Sequence, residues 1–497
     1  MEKQVHRTSR SLKNKKKKIN KAMIIMSVIN FLCTIILTFF VVSLKMIPIK
    51  YIVIIVCILV MLDLLVMLLL KKKKRGFKIL GYVISIILIL INGAGTYYVA
   101  TTNAFLNKSF NNASNTYTST YYIVVKSTSK VSDVKELDGA NIGYYKSTPN
   151  IDEALKELDN NIKVNTKEYE NVTYNYNDLK RGSIDAAIVE ESIYEALIDS
   201  ETGILKESDY KIIYKFDIEV KEETEDSSEE EFVDDGNSLN IYIGGVDFTE
   251  KNTDFNMVVT INKKTHKILL TSIPRDYYVT MKSSGMHELL GYVGYTGINN
   301  SRRTVADLLG VNIDYYMKVN TNSIVGLVNT LGGVQFCNNG AAFTTTHALV
   351  QGSYDDENGE KLNVPSGCRT YNGIQILTIV RERKAFADGD RQRQKNCGQV
   401  MINIFKKMAS AGTVANYSSV LNAVSNLYTT NLSRDVITDI ANETINGASW
   451  SFEQQSVTGY DSSGYVHMGT VKDYVMRPNQ NSINTASSNI KKIMSGK

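Results

Sequence analysis

The sequence is poor in the side chains that hold transition metals. Five histidines, His6, His266, His287, His347 and His467, are scattered over 497 residues, and the five cysteines show no CxxC spacing. Zinc takes clustered cysteine and histidine ligands, so a zinc site is disfavoured and any metal would be a hard cation held by carboxylates. The sequence also has no GxSxG elbow, no HExxH and no P-loop, which removes the signatures of serine hydrolases, zinc proteases and P-loop nucleotide hydrolases. A large excess of one charge is missing too: 56 basic against 51 acidic residues leave a net +5. The basic residues cluster as KNKKKK at 13–18 and KKKKR at 71–75 beside apolar runs, whereas 217–238 is acidic. Basic clusters that hug apolar runs are the positive-inside pattern of a membrane protein. Nucleic acid is not an expected partner.

Long apolar runs fill the start of the chain. Ala22 to Leu44, Tyr51 to Leu70 and Ile79 to Ala100 each reach the length a spanning helix needs, roughly 20 residues. A signal peptide would carry one shorter run and a cleavage site. With both basic clusters cytoplasmic, residues 45–50 lie outside and everything after 100 is extracytoplasmic, which gives a multi-pass cell-membrane protein with its N-terminus inside. Asp63 interrupts the second run, either as a functional intramembrane charge or as a bundle contact. Cys33 and Cys57 fall in the spans, and Cys337, Cys368 and Cys397 fall outside. Cys337 and Cys368 flank a polar, glycine-rich excursion, QFCNNG to PSGCRT, and are expected to form a disulfide.

The pattern divides the chain into a basic tail (1–21), three transmembrane helices (22–100), an Asn/Ser/Thr-rich linker (101–120), an accessory domain (121–216), an acidic linker (217–238) and a second outer domain (239–497). The accessory domain mixes short apolar runs such as YYIVV with helical stretches such as IDEALKEL, so it reads as a small α/β module. The stretch EVKEETEDSSEEEFVDDG has dense like charge and reads as a flexible tether. In the second domain, MVVTINKKTHKILLTSIPRD alternates on either side of NKKTHK as a hairpin that delivers Arg275 and Asp276 at its end. RRTVADLLG and SIVGLVNTLGG read as glycine-closed helices, the second leading into the strand VQF. Helices alternating with strands give an α/β layered fold, in which ligands sit at strand ends.

The run VRERKAFADGDRQRQ, 380–394, gathers Arg381, Arg383, Arg391 and Arg393 around Asp388 and Asp390. It reads either as a solvated, self-paired charged turn or as a socket for phosphate. Guanidinium forks keep their charge and meet phosphate oxygens bidentately, each bond contributing roughly 1.5–3 kcal/mol. Arg381 and Arg383, two positions apart, cannot share a helix face but can converge where a helix runs into a loop. Arg275–Asp276 reads alone as a strand-end pair, Asp247 alone as a turn residue, and Arg391 as solvated.

In order and spacing, GVD at 245–247, TD at 253–254, SIPRD at 272–276, LGGV at 331–334, RERKAFADGDRQR at 381–393 and YVMRP near the end resemble the LytR-CpsA-Psr family, most closely its capsule-type members. LDGANIGYY and LKRGSIDAAIVEES look like the accessory module that precedes the catalytic domain there. The resemblance implies an α/β/α catalytic domain with a central mixed sheet. It also implies a transferase that moves a glycan, capsular or teichoic-acid-like, from a polyprenyl-pyrophosphate carrier to peptidoglycan as a phosphodiester. By matching motif, Arg275, Arg381, Arg383 and Arg393 would contact the pyrophosphate, Asp247 and Asp254 would hold Mg²⁺, and Asp390 would order the arginines. Helices around LVNTL and MINIF, plain core by pattern alone, would then line a groove for the polyprenyl tail. Membrane lipids and capsule-synthesis membrane proteins are the further partners implied. The chain departs from the family pattern at Cys397, where a glutamine is usual, and at Glu288 and Gly291, near places usually held by lysine and histidine. Cys397 follows Arg393 by four positions, so a helix there puts both on one face beside the phosphate site. These departures keep open a non-catalytic, polyprenyl-phosphate-binding sensor of capsule synthesis.

Overall fold

The computed structural model describes residues 21–110, 116–146, 148, 150–170, 172–198, 205–221, 236–246, 252–320, 323–349, 359–408, 428–466, 469 and 471–496. The basic tail, most of the acidic linker and Asp247 lie outside the described residues. Two units divide the chain, Met1–Ala104 and Phe105–Lys497.

Helices α1 (Lys21–Leu44), α2 (Ile49–Lys71) and α3 (Arg75–Phe110) are each long and apolar enough to cross a membrane. Many of their isoleucines, leucines and phenylalanines are exposed, while Leu37, Leu59, Leu70 and Leu88 pack between the helices and Asn30, Thr34, Asp63, Ser85 and Asn92 are buried. The Thr34 hydroxyl donates to Asp63 at 2.9 Å, and the Asn92 amide donates to Thr34 at 3.3 Å. Asp63 therefore sits inside the bundle with a hydroxyl partner, as hydrocarbon surroundings demand. Helix α3 runs ten residues past Ala100, and there the Thr101 and Thr102 hydroxyls donate back to the carbonyls of Tyr97 and Tyr98 at 2.8 Å.

In the second unit, β1 (Thr116–Lys126), β2 (Asn141–Tyr145), β3 (Asn165–Tyr169), β4 (Ala186–Glu190) and β5 (Tyr210–Lys221) form a sheet of order β3-β2-β4-β1-β5. Strand β2 runs parallel to β3 and β4, and β1 antiparallel to β4 and β5. Helices α4 (Ile151–Asn161), α5 (Val172–Arg181) and α6 (Glu191–Ile198) complete it. Tyr121 through Val125 are all buried because alternate side chains enter two different apolar clusters. That two-sided burial explains why the run YYIVV shows no polar alternation.

The following domain starts with β6 (Ser238–Val246), β7 (Thr253–Asn262) and β8 (Lys267–Ile273), the last two joined by the expected turn. Then come β9 (Tyr278–Thr280), β10 (His287–Leu289), α7 (Leu290–Val293), α8 (Ile298–Leu309), β11 (Tyr315–Asn320) and α9 (Ser323–Thr330). Next are β12 (Val334–Asn338), β13 (Phe343–Ala348), β14 (Lys361–Val364), β15 (Gly367–Tyr371), α10 (Gly373–Arg381) and α11 (Asp390–Met408). The chain closes with β16 (Tyr428–Thr430), α12 (Arg434–Ile445), β17 (Ser451–Ser456), β18 (Gly459–Val466), β19 (Val471–Pro478) and α13 (Gln480–Met494). A six-stranded mixed sheet runs β16-β11-β6-β7-β8-β17, with β11–β6 and β8–β17 parallel and the other pairs antiparallel. Helices α8 and α13 cover one face through Val305, Leu309, Ile483 and Ile490 against Tyr242 and Val258. Helix α11 crosses the other face, where a Cβ on Gly398 would lie 2.0 Å from Gln454 Nε2 of β17 and in ordinary contact with Met257 of β7. This is an α/β/α layered domain.

Leu327 and Val328 of LVNTL and Ile404 of MINIF are buried against one another's helices and against Ile376, Leu377 and Val380 of α10. They form part of a packed apolar core. That core fixes α10, and Gly373 at its start approaches α9 closely: a Cβ there would meet the Val325 carbonyl oxygen at 2.3 Å.

Strand β12 pairs antiparallel with β15 in a register that sets Cys337 opposite Cys368, and the two form a disulfide across 31 residues of chain. Closing a loop of that length contributes about 3–4 kcal/mol in the chain-entropy model. Cys337→Ala/Cys368→Ala is therefore expected to lower stability by that order in denaturant titration, and non-reduced peptide mapping should recover the linked pair. Finding both thiols free would refute it.

Candidate active site

Three element ends meet where the interior strands β7 and β8 of the central sheet begin and end. Asp254 opens β7, Arg275 and Asp276 follow the end of β8 across Pro274, and Asp390 and Arg393 occupy the first turn of α11. The backbone of the Arg275 turn is pinned from β10–α7: Leu290 N–H donates to the Tyr277 carbonyl at 2.9 Å and Gly291 N–H to the Arg275 carbonyl at 2.8 Å. Space at Gly291 is tight: a Cβ there would lie 2.9 Å from Asn252 Oδ1, so a larger residue requires the Asn252 side chain to move.

Asp254 holds both arginines. Arg275 Nη1 donates to its carboxylate, and Arg393 Nη2 donates to its backbone carbonyl. Arg275 Nε lies 3.3 Å from Asp276 Oδ1, and Arg393 Nε donates to Asp390 Oδ1 at 2.7 Å. Gln394 takes the other Asp390 oxygen at 2.7 Å. Arg393 is only 6% exposed. Burial alone would lower both guanidinium pKa values, but Asp254 for Arg275 and Asp390 for Arg393 outweigh it and raise them. The carboxylates diverge. Burial would raise Asp390, yet Arg393, Gln394 and Arg275 prevail and hold it below the usual range. At Asp276 burial dominates over Arg275 and, with the neighbouring Asp390 charge, raises the pKa.

The run 380–394 is an ordered connection. An Asn372–Gln375 capping box starts α10, which ends at the half-buried Arg381. Glu382 is extended (φ −66°, ψ 129°), and the chain then turns through the bonds Phe386 N–H to Arg383 carbonyl (3.2 Å) and Gly389 N–H to Phe386 carbonyl (3.1 Å). Gly389 takes the left-handed φ of 50° needed before α11 begins. Arg383 stands close enough to act on the Asp276 carboxyl. Asp388 and Lys395, 3.9 Å apart and both exposed, are the one part of this stretch that fits a solvated, self-paired turn. Arg391 differs from its expected solvation: it is exposed, but its Nη2 donates to the Gly459 carbonyl at 3.1 Å and ties α11 to β18.

Two side chains that sequence reading passed over are central to the geometry. Gln394 orients Asp390. Glu382 is fully buried and accepts from Thr346 N–H at 2.6 Å and Ala385 N–H at 2.9 Å, with His347 Nδ1 at 3.3 Å. Burial would raise its pKa, but the bonds from His347, Thr346 and Ala385 hold it at about 2. The signal available was an acidic residue between two arginines at the end of an apolar helix.

Of the expected acidic pair, Asp254 is committed to Arg275, and Asp247 lies outside the described residues. Among the described residues no three acidic, histidine or cysteine side chains converge as a metal site. Glu288 is buried, and its carboxylate accepts the Leu289 N–H at 2.9 Å. Cys397 lies one turn beyond Arg393 on α11, within electrostatic reach of Arg393, Asp390 and Asp254. Its thiol donates to the Val380 carbonyl at 3.4 Å and packs on the α9–α10 core.

The LytR_cpsA_psr family description matches residues 207–492, more than half of the chain. The chain belongs to the LytR_cpsA_psr family. It is 32% identical over 191 residues to biofilm regulatory protein A of Streptococcus mutans, covering 37% of this chain and 45% of that protein. Against the polyisoprenyl-teichoic acid–peptidoglycan teichoic acid transferase TagU of Bacillus mycoides it is 32% identical over 190 residues, 38% of this chain and 57% of that one. The chain thus spans about half the length of the curated relatives it matches. Among solved structures, B. subtilis TagU matches at a TM-score of 0.38 and 26% identity, over 52% of this chain and 97% of that one. B. subtilis TagT matches at 0.40 and 24%, over 54% and 94%. The LytR_cpsA_psr match takes in every described residue of the arginine–aspartate cluster.

Burial pushes the Cys397 thiol up to about 12, with Arg393 only partly opposing it. The thiolate is the reactive form. Iodoacetamide at neutral pH is therefore expected to leave Cys397 unmodified in the folded protein and to alkylate it after denaturation. Rapid native labelling, read by peptide mass spectrometry, would place the thiol outside this buried position.

Proposed function

We propose that the protein is a membrane-anchored glycopolymer transferase. On this reading it moves a capsular or teichoic-acid-like glycan from a polyprenyl-pyrophosphate carrier to peptidoglycan. The observation that carries the reading is the pair of guanidinium groups, half-buried Arg275 and buried Arg393, oriented by Asp254 and Asp390 at the ends of β7 and β8 with Arg383 alongside, in a chain with three membrane-length helices. Such preformed forks suit phosphate oxygens. The transferase named among its relatives supports the glycopolymer class.

The proposed step is a displacement at the phosphorus that bears the glycan. A peptidoglycan sugar hydroxyl attacks, the bond to the bridging oxygen breaks, polyprenyl phosphate leaves, and the hydroxyl proton passes to a base or to solvent. Arg275, Arg383 and Arg393 stabilise the charge that gathers on the bridging and leaving oxygens, and Arg381 adds its charge from the end of α10. Asp390 keeps Arg393 aimed. Asp247 and Asp254 remain the proposed magnesium ligands. The domain acts outside the cell, reaching the carrier at the membrane surface.

The test uses the full-length protein in liposomes with polyprenyl-pyrophosphate-linked glycan and peptidoglycan fragments, and follows the glycan-phosphate adduct. Arg275→Ala or Arg393→Ala is expected to weaken lipid binding by tens of fold, from loss of roughly 2 kcal/mol each, and to lower transfer in step. Arg391→Ala, whose side chain serves β18, should change binding by a few-fold at most. Lipid binding without any adduct would reject the transferase and favour the sensor.

Topology gives a separate expectation. A tag after residue 497 should be accessible in intact protoplasts, and one before residue 1 protected. Protease shaving that leaves the outer domain intact would reject it.

A further inference from the structure

We infer that Glu382 is a positioning residue, a buried carboxylate that fixes where Arg381 and Arg383 stand so that the two can engage adjacent phosphates of one pyrophosphate. This rests on the functional reading above. Arg381, Glu382 and Arg383 are consecutive where α10 ends, and the extended backbone at Glu382 sends its side chain inward while both neighbours stay half-exposed. The carboxylate is then clamped by three separate pieces of chain. Strand β13 supplies Thr346 N–H at 2.6 Å, Thr346 Oγ1 at 3.1 Å and His347 Nδ1 at 3.3 Å. The turn supplies Ala385 N–H at 2.9 Å. Helix α10 joins through Thr378, whose carbonyl lies 3.2 Å from His347 Nε2. A second tie between β13 and the turn is the edge-on contact of Phe343 with Phe386, ring centres 4.7 Å apart. Thr346 N–H, Thr346 Oγ1 and Ala385 N–H all meet Glu382 as donors, and His347 Nδ1 does so when its ring is protonated. A fully ionised acceptor fits that surrounding, and it stays ionised because its pKa is held at about 2.

Glutamine has nearly the same shape but turns one acceptor into an NH₂. Placed here, that NH₂ faces either the Thr346 or the Ala385 N–H, two donors against each other, and the turn has to shift. A shift of the turn alters the spacing of two arginines while Arg275 and Arg393, held by Asp254 and Asp390, stay in place. The loss should therefore fall on the preference for pyrophosphate over monophosphate, because only the longer anion uses both groups of arginines.

The experiment measures equilibrium binding of polyprenyl pyrophosphate and polyprenyl monophosphate to the full-length protein in nanodiscs, for wild type, Arg275→Ala, Glu382→Gln and Thr346→Val. Glu382→Gln is expected to weaken pyrophosphate binding about tenfold and monophosphate binding about threefold or less, so that the ratio falls. Thr346→Val, which removes one hydroxyl donor and leaves the carboxylate, should shift the ratio in the same direction by a smaller factor. General destabilisation would weaken both lipids together. If Glu382→Gln does not fold, the ratio for Thr346→Val decides. A wild-type ratio in whichever of these variants folds, with Arg275→Ala impaired, overturns the positioning role alone. A folded wild type that binds no pyrophosphate lipid overturns the functional reading and this inference with it.

Discussion

Two cations, one buried and one half-buried, share one aspartate and set the terms for everything around them. Arg275 takes the Asp254 carboxylate and Arg393 takes its carbonyl, so like charges are brought together where water is largely excluded. Such a pair persists only if each guanidinium has its own further carboxylate, because an uncompensated buried charge costs several kcal/mol. Asp276 and Asp390 meet that need, one from the strand end and one from the helix start. The requirement explains why the cluster draws on three elements. No single strand or helix could hold three carboxylates and two arginines at these separations.

The same accounting says how an anion could be received. With Arg275, Arg383 and Arg393 set against Asp254, Asp276 and Asp390, the cluster is close to neutral before any ligand arrives. Favourable binding of a pyrophosphate then needs added positive charge or a carboxyl that takes up a proton. Arg381 and Lys384 in the connecting turn supply the first, and a magnesium ion would supply more. Asp276, whose pKa burial raises, is the carboxyl placed for the second. Asp390 is fitted for the opposite duty: its pKa is lowered, so it keeps its charge and keeps Arg393 in line. Two carboxylates near one another thus take different roles from their surroundings alone.

Much of this was legible in the sequence because it follows from local pattern. The hairpin around NKKTHK, the glycine-closed helices, the three apolar spans and the Cys337–Cys368 pairing all come from periodicity, turn residues or composition, and the structure contains each. The arginines were legible as phosphate-binding candidates, and their meeting with Arg275 rested on ordered motifs more than a hundred residues apart in sequence. What could not be read is tertiary. Arg391 and Arg393 look alike in DRQRQ, but helical rotation sends one to the Gly459 carbonyl and the other into the cluster. Glu382 is one more charge in RERK until β13 arrives to bury it. The helices LVNTL and MINIF are equally apolar as core or as lipid groove, and their shared packing against α10 could not be read from pattern.

Long-range order at the site also depends on a short segment that sequence reading treated as a departure from the family. Residues 286–297 carry no arginine or lysine, yet Gly291 N–H fixes the Arg275 carbonyl and Thr253, beside Asp254, bonds the carbonyls of Leu290 and Gly291 at 3.3 Å. The other end of the segment meets the accessory module: Met286 receives the Tyr145 hydroxyl and packs on that module's apolar cluster, and α6 lies against Gly294–Thr296. Replacing a charged family position by Gly291 therefore leaves the backbone support of Arg275 intact, since that support comes from an N–H that any residue but proline would offer. The side-chain identity matters for space: a Cβ at 291 would press on Asn252 Oδ1 at 2.9 Å, and a larger residue there would have to displace the Asn252 side chain. Arg275 and the accessory module consequently lean on the same dozen residues, and the geometry of the first is continuous, through main-chain bonds, with the seating of the second.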